Sequence, residues 1–114
     1  PLFNLFEKRF CRSPQEGILW GYNEGATRPL VGPGYFVCRE TPHSSKGSVV
    51  VDYYSVPDQK PATWPEIKRN DSGITALVFG FMHDYLRRVS SSVTIGRAYK
   101  HHLETGNYFV LCRE

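Results

Sequence analysis

The sequence lacks the features that identify the most easily recognised classes of protein. It has no apolar run long enough to span a membrane and no signal peptide, so membrane insertion is not expected. Its three cysteines, Cys11, Cys38 and Cys112, are an odd number without Cys-x-x-Cys spacing, and they indicate neither a zinc site nor a disulfide framework. Reduced thiols in a cytoplasmic protein are the simplest account of them, although one disulfide remains open.

A concentrated charge of one sign is also missing. The chain has 14 basic and 11 acidic residues, a net charge of +3, and this mild excess is clustered only at Lys8-Arg9 and Arg87-Arg88. Nucleic-acid-binding proteins usually carry a basic face or stripe, so no nucleic-acid partner is expected.

Strong catalytic and cofactor motifs are absent as well. No nucleophile elbow, phosphate loop or paired-carboxylate motif occurs, and the one Gly-x-Gly, Gly32-Pro33-Gly34, is a turn. His101-His102 and His43 have no metal-ligand spacing. No cofactor and no metal site are therefore predicted, and no catalytic residue can be assigned.

Aromatic residues, in contrast, are abundant. The 114 residues include 7 Phe, 7 Tyr and 2 Trp, and such side chains favour β-strands. The length suits a single domain, residues 1–114, with one core. Because the first residue is Pro1 rather than Met, we expect a processed or trimmed piece of a longer chain.

Several segments have the composition of strands. Strands are predicted at 18–22, from the Gly32-Pro33-Gly34 turn to Glu40, at 48–54, at 93–100 and, after a turn at 105–107, from 108 to 113. Residues 57–72 contain three prolines and many polar residues, which predicts a long irregular connection.

Two segments have helical spacing of apolar residues. Residues 2–10 suit a short amphipathic helix with Glu7, Lys8 and Arg9 in solvent. Residues 74–89 are ambiguous, because a helical stripe runs through them while Thr75, Val78, Phe79 and Gly80 favour a strand or a bend. We interpret 74–80 as a strand and 82–89 as a short helix, with one long helix across the sheet as the alternative.

Two of these strands share a composition. Residues 34–40 and 108–114 both contain Tyr-Phe-Val followed by Cys-Arg-Glu, but the extra Leu111 shifts the side-chain parity of the second copy. We interpret them as two similar strands rather than as a duplication. Several strands with one short helix predict a mostly β fold, β or α+β, with a curled antiparallel sheet or a small barrel.

The strand at 93–99 carries the strongest hint of a site. Val93, Ile95, Arg97 and Tyr99 share one face; if that face is interior, Arg97 needs a partner, for which Asp52 is the natural candidate. The pair is either structural or part of a pocket in which Arg97 binds an acidic group. His83 is a further candidate, either as a polar anchor or as a proton carrier, although a solvated histidine is the simpler interpretation.

The aromatic residues are candidates for a pocket wall. Tyrosine and tryptophan rings either fill a core or line a cavity with a few polar anchors, and the sequence leaves both open. The predicted ligand-binding residues are Arg97, Asp52, His83, Tyr54, Tyr99, Tyr35 and Trp20.

The C-terminal half resembles a known family. Asp84-Tyr85-Leu86-Arg87-Arg88-Val89, Val93-Thr94-Ile95-Gly96 and residues 108–113 are similar to segments of the small bacterial GXWXG-type proteins of unknown function, and Lys8-Arg9-Phe10 is similar to another. The Gly-x-Trp-x-Gly signature itself is replaced by Leu19-Trp20-Gly21. The resemblance implies a lipocalin-like, β-rich fold with one helix and brings no established activity.

Together these features predict a small-molecule binding module. Its ligand would be apolar, with an acidic group, and would lie in an aromatic-lined β pocket. The alternatives are an isomerase- or lyase-type enzyme in which His83 or Asp52 moves a proton in the same pocket, and a protein-interaction or structural domain. Association into a homodimer is left open.

Overall fold

The computed structural model describes residues 5–114, and within them the chain forms one curled sheet of seven antiparallel strands. This confirms the predicted mostly β fold class. The strands are β1 (Glu7–Arg12), β2 (Ile18–Glu24), β3 (Phe36–Glu40), β4 (Val49–Asp52), β5 (Met82–Arg88), β6 (Val93–Lys100) and β7 (Leu103–Cys112). Two short helices, α1 (Arg28–Val31) and α2 (Gly73–Phe79), accompany the sheet. Neither is long or apolar enough to cross a membrane.

The strands follow one another in space in the order in which they occur in the chain. Each strand pairs with the next, so that β1 and β7 are the two edges of the sheet. The curl brings these edges together, and the rings of Phe6 and Phe109 meet edge to face with their centroids 5.9 Å apart. The sheet is therefore a half-barrel with an interior, and it gives the alternating side chains an inner and an outer face.

The main hydrophobic cluster lies on the inner face. Its buried members are Phe36, Cys38, Val51, Tyr53 and Leu86. All three cysteines are free thiols; Cys38 is buried, whereas Cys112 is exposed. Burial raises the pKa of the Cys38 thiol to about 11. The opposite exposure of these cysteines agrees with the parity shift predicted from the extra Leu111.

The prediction for residues 74–89 was wrong, because the order of the two elements is reversed. The helix comes first, as α2, and the strand β5 follows it. The helical spacing of Ile74, Leu77 and Val78 holds only to Gly80, where the helix is capped, and Phe81 then turns the chain with φ 60°. The alternative of one long helix is wrong for the same reason.

The helix predicted at 2–10 is also not observed. Residues 1–4 lie outside the described part of the chain, and residues 7–12 form β1. Phe6, Lys8 and Phe10 are every second residue and point to one face, as in a strand. Backbone hydrogen bonds with β2 stabilise this strand in place of the predicted helix.

The last strand begins earlier than predicted. His101 and His102, both in the left-handed region with φ 52° and 64°, form the turn, and β7 already begins at Leu103. The predicted turn around Gly106 lies within β7, opposite a register shift between Arg97 and Tyr99. A bulge thus takes the place of a turn.

The long connection predicted at 57–72 contains no helix or strand. It is nevertheless fixed to the sheet. The buried Asn70 donates hydrogen bonds from Nδ2 to the carbonyl oxygens of Tyr35 and Tyr53, at 2.8 and 2.9 Å. Trp64 packs against Tyr22 with ring centroids 4.8 Å apart. The connection therefore covers the outer face beside β2 and β3.

Candidate functional site

A cavity of about 390 Å³ lies between the inner face of the sheet and the two helices. This volume is at the small end of the range for ligand pockets, about 300–1,000 Å³. Its lining is mainly apolar. The apolar lining residues are Leu5, Phe6, Val31, Val78, Phe79, Met82, Ala98 and Phe109. The polar and charged ones are Lys8, Asn23, Glu24, Thr27, Arg28, Tyr53, Asp84 and Asn107.

Lys8 on β1 is the central polar residue of this wall. Its side chain is only 3% exposed, and Nζ donates to Oδ1 of Asn23 at 2.8 Å and to the hydroxyl of Tyr53 at 2.5 Å. Aromatic rings enclose the ammonium group, with centroids 5.2–5.4 Å from Nζ, and these belong to Phe6, Phe36, Tyr53 and Phe109. Such contacts favour a cation in a site that water does not reach.

Two glycines allow the rings to approach Lys8. Phe36 lies over Gly21 of the neighbouring strand, and Phe109 lies over Gly96 in the same manner. A Cβ atom at either glycine would overlap the ring. Each glycine therefore creates the space that a phenylalanine fills beside the ammonium group.

Asp84 on β5 is the charged partner of Lys8. Its Oδ2 lies 3.4 Å from Nζ, its side chain is 5% exposed, and Oδ1 has no hydrogen-bond partner among the described residues. Burial lowers the pKa of Lys8, which Asp84 opposes, and burial raises the pKa of Asp84, which Lys8 opposes. Both shifts disfavour the charged forms, so the pair has access to a neutral state in which Asp84 holds the proton.

Tyr53 and Asn23 join the pair to the rest of the sheet. The Tyr53 hydroxyl lies 3.3 Å from Oδ2 of Asp84, and Asn23 donates from Nδ2 to that hydroxyl at 3.1 Å and to the Gly34 carbonyl at 3.0 Å. Burial raises the pKa of Tyr53 well above its ordinary value, so the phenol stays protonated. Lys8, Asn23, Tyr53 and Asp84, which we call the lumen cluster, form one connected network.

A second ion pair contributes to the lining near α1. Arg28 donates from Nε to Oε1 of Glu24 at 2.6 Å. Both cationic side chains that line the described cavity, Lys8 and Arg28, are therefore paired with a carboxylate.

Arg97 does not face this cavity. It lies on the outer face of β6, where it forms an ion pair with Glu104 and lies over the rings of Tyr99 and Tyr108 at 5.7 and 5.4 Å. The expected pairing with Asp52 is therefore wrong. Both residues lie on the outer face, but the register places Arg97 opposite Tyr85 and Tyr108 and places Asp52 opposite His83. Arg97 faces away from the cavity because its neighbour Ala98 points inward and lines it.

Asp52 and His83 do meet, but on the outer face. They are opposite each other in the β4–β5 register, and Nε2 of His83 lies 3.2 Å from Oδ1 of Asp52. Tyr54 stacks on the His83 ring at 4.7 Å, and Arg39 donates to Asp52 at 2.8 Å. Burial alone would raise the pKa of Asp52, but hydrogen bonds from His83, Arg39 and the Tyr54 amide outweigh it and lower that pKa to about 2.

The remaining predicted residues are distributed over the same face. Tyr99 is the cross-strand neighbour of His83. Tyr35 is buried, and its hydroxyl donates to the Pro65 carbonyl oxygen at 2.5 Å. Trp20 is opposite Val37 in β3. None of the seven predicted residues lines the cavity. A ligand-binding role for them stays a prediction.

Sequence reasoning missed the cluster of Lys8, Asn23, Tyr53 and Asp84. The available signal was alternation. If 6–10 is a strand, Lys8 shares a face with Phe6 and Phe10, and if 82–86 is a strand, Asp84 shares a face with Met82 and Leu86. A basic residue on the apolar face of one strand and an acidic residue on the apolar face of another would have indicated a buried ion pair.

Within residues 5–114, no three His, Cys, Asp or Glu side chains are grouped so that they could hold a metal ion. The cavity polar groups instead suit hydrogen bonding and proton transfer.

Comparisons with protein families, with curated proteins and with solved structures gave no significant match to this chain. The resemblance to the GXWXG-type proteins therefore stays a prediction, and the argument for function rests on the cavity.

Proposed function

We propose that the protein binds a small, mostly apolar molecule in the cavity of the half-barrel. The observation that carries this proposal is a cavity of about 390 Å³ that is partly open to solvent, with a largely apolar lining surface and a buried polar network on one wall. A filled core would bury apolar side chains against one another rather than leave such a space. Apolar walls with a few fixed polar groups are typical of small-molecule sites.

The lumen cluster indicates which polar group the ligand carries. Oδ1 of Asp84 is a buried acceptor without a partner among the described residues, and such an atom is costly unless a donor satisfies it. Lys8 and Arg28 are already paired. We therefore propose a ligand with a hydroxyl or similar donor, in preference to the acidic ligand expected from Arg97.

An enzyme of the isomerase or lyase kind remains the alternative. His83 and Asp52 lie on the outer face, so a proton carrier inside the cavity would have to be Asp84, assisted by Tyr53. The orphan Oδ1 atom, which suits a ligand donor, favours binding as the first proposal.

The first prediction tests occupation of the cavity. Ala98 is the β6 residue that lines the cavity, and its side chain is small. Ala98→Leu would therefore fill part of the cavity without removing a polar group. We expect para-fluorobenzyl alcohol, followed by fluorine NMR, to bind the wild type saturably. The variant should bind it at least about tenfold more weakly, a loss of about 1.4 kcal/mol.

Ile95→Phe is the matched control, because Ile95 is on the same strand but is 40% exposed on the outer face. It should bind as the wild type does. Equal affinity of Ala98→Leu and the wild type, or no saturable binding to either, would contradict the proposal.

A further inference from the structure

We propose that Lys8 is a nucleophile that forms an imine with the carbonyl group of a small apolar aldehyde or ketone held in the cavity. This inference rests on the proposed occupation of the cavity, but it names a different polar group on the ligand: a carbonyl that accepts a proton from the neutral form of Asp84, in place of a hydroxyl that donates to its carboxylate. It assigns a covalent chemistry to a residue that otherwise would be only a structural cation.

The position of Lys8 supports this role. Lys8 is part of the cavity wall, and its side chain, only 3% exposed, is surrounded by aromatic rings. Imine formation releases water, so a site with few waters favours the imine over its hydrolysis. No other lysine lines the cavity; Lys46, for example, lies over Tyr85 and Tyr99 on the outer face.

Asp84 supplies the proton transfers that the reaction requires. An ammonium group is not nucleophilic, but its proton has an acceptor 3.4 Å away in Oδ2 of Asp84. Burial disfavours both charges of this pair, as the lowered pKa of Lys8 and the raised pKa of Asp84 indicate. Transfer of one proton therefore produces a neutral amine and a carboxylic acid side by side.

The reaction balances with these two groups alone. The Nζ lone pair attacks the carbonyl carbon, the carbon–oxygen π bond breaks, and the oxygen takes the proton of Asp84. The nitrogen then returns one of its own protons to the Asp84 carboxylate, which gives a neutral carbinolamine beside a carboxylic acid. Asp84 then protonates the hydroxyl, the carbon–oxygen bond breaks and water leaves. The product is a protonated imine, and the Asp84 carboxylate is its counterion.

Asn23 and Tyr53 position the amine. Their oxygen atoms accept two of the Nζ hydrogens, at 2.8 and 2.5 Å. The Tyr53 hydroxyl also links Lys8 to Asp84. The chain therefore holds the nucleophile and its acid in fixed relation before a ligand enters.

The experiment uses para-fluorobenzaldehyde with sodium cyanoborohydride, which reduces an imine to a stable secondary amine. Peptide mapping by mass spectrometry then locates the label on the wild-type protein at neutral pH. We expect saturable labelling at Lys8 at least about tenfold faster than at any other lysine, because the cavity holds the aldehyde beside this amine and the lowered pKa of Lys8 increases its free-amine fraction. Lys8→Met should lose this label, whereas Lys46→Met should keep it.

Para-fluorobenzyl alcohol has the same shape but cannot form an imine, so it separates the two proposals. Binding of the alcohol without a Lys8 adduct from the aldehyde, or with labelling spread evenly over the lysines, would overturn the inference and leave the proposed function standing. Failure of both compounds to bind would overturn both. If Lys8→Met does not fold, the site of labelling on the wild type decides the question.

Discussion

At the scale of single residues, the lumen cluster concentrates the polar chemistry of the interior. A lysine and an aspartate with side chains 3% and 5% exposed are costly to bury, and their mutual contact offsets part of that cost. Their hydrogen bonds to Tyr53 and Asn23 satisfy the ammonium group, whereas Oδ1 of Asp84 has no partner within residues 5–114. The pair is thus stabilised as a unit rather than residue by residue.

A double-mutant cycle on Lys8 and Asp84 tests this interdependence. Removal of one partner leaves an uncompensated buried group, so we expect Lys8→Met and Asp84→Asn each to lower the free energy of unfolding by about 3 kcal/mol or more. The double variant should lose less than the sum of the two. Urea denaturation measures all four proteins.

Arg69 and Asp71 provide the matched control, since their ion pair is 68% and 62% exposed. The cycle of Arg69→Met and Asp71→Asn should show little coupling. Additive losses at Lys8 and Asp84 would show that the two residues do not act as a pair.

At the scale of strands and helices, paired glycine and phenylalanine residues position the aromatic rings. Gly21 accommodates Phe36 and Gly96 accommodates Phe109, and both rings contact the Lys8 ammonium group. In each pair the glycine is directly opposite the phenylalanine on the neighbouring strand. The two strands of similar composition, with Tyr35-Phe36 and Tyr108-Phe109, thus share one structural feature: the phenylalanine of each packs on a glycine of the neighbouring strand.

The Gly96→Ala substitution tests this arrangement. Its Cβ atom would overlap the Phe109 ring, and we expect a loss of about 1–3 kcal/mol in stability from overpacking. Phe109→Leu in the same chain should recover part of the loss. Thermal and urea unfolding measure both effects.

Gly25→Ala is the control, because a Cβ atom there meets only ordinary contacts at 3.5 Å or more. A Gly96→Ala protein as stable as this control would show that the ring has room to move.

The mostly β fold and most strands could be predicted from alternation and aromatic content, but two elements could not. In residues 6–10 and 82–88 the apolar positions fit a helix and a strand about equally well, and strand pairing with distant neighbours decided the outcome. These elements carry Lys8 and Asp84. The first error turned Lys8 towards solvent, the second kept the segment with Asp84 out of the predicted sheet, and together they hid the site.

Arg97 shows the opposite error. Its strand was predicted with the correct alternation, but the face was assigned by the apolar character of Val93, Ile95 and Tyr99. The structure places the glycine and alanine face inward, because Phe109 and the cavity occupy the space beside Gly96 and Ala98. Small residues on an inner face cannot be recognised without knowledge of their neighbours.

At the scale of the whole molecule, Asp52 links elements that are distant in sequence. It binds Arg39 of β3 and His83 of β5, and it accepts the amide hydrogen of Tyr54 at the start of the long connection. Ionised Asp52 therefore helps to hold the middle of the sheet together.

Acid should weaken these links in a defined range. The pKa of Asp52 is about 2 in the folded protein against an ordinary value of 3.8, so the folded state favours the ionised form. The resulting stability is present above about pH 4 and is lost as the pH falls towards 2. We expect the loss to be about 1–2 kcal/mol after allowance for solvent screening.

The measurement is urea denaturation of the wild type and Asp52→Asn between pH 5 and 1, a range that brackets both of these pKa values. Asp52→Asn should be less stable at pH 5 and less sensitive to acid, whereas Asp71→Asn, at an exposed site, should follow the wild type. Parallel pH profiles for the wild type and Asp52→Asn would contradict the assignment.

The sequential order of the strands has a consequence for how the chain folds. Five of the six strand pairings join segments connected by short links, whose closure costs little chain entropy. The pairing of β4 with β5 is different, because it must close residues 53–81, which include the long connection and α2. The largest loss of chain entropy therefore occurs when β4 pairs with β5. This pairing joins the unit β1–β4, which supplies Lys8, to the unit β5–β7, which supplies Asp84. The candidate site is assembled only when these two units meet.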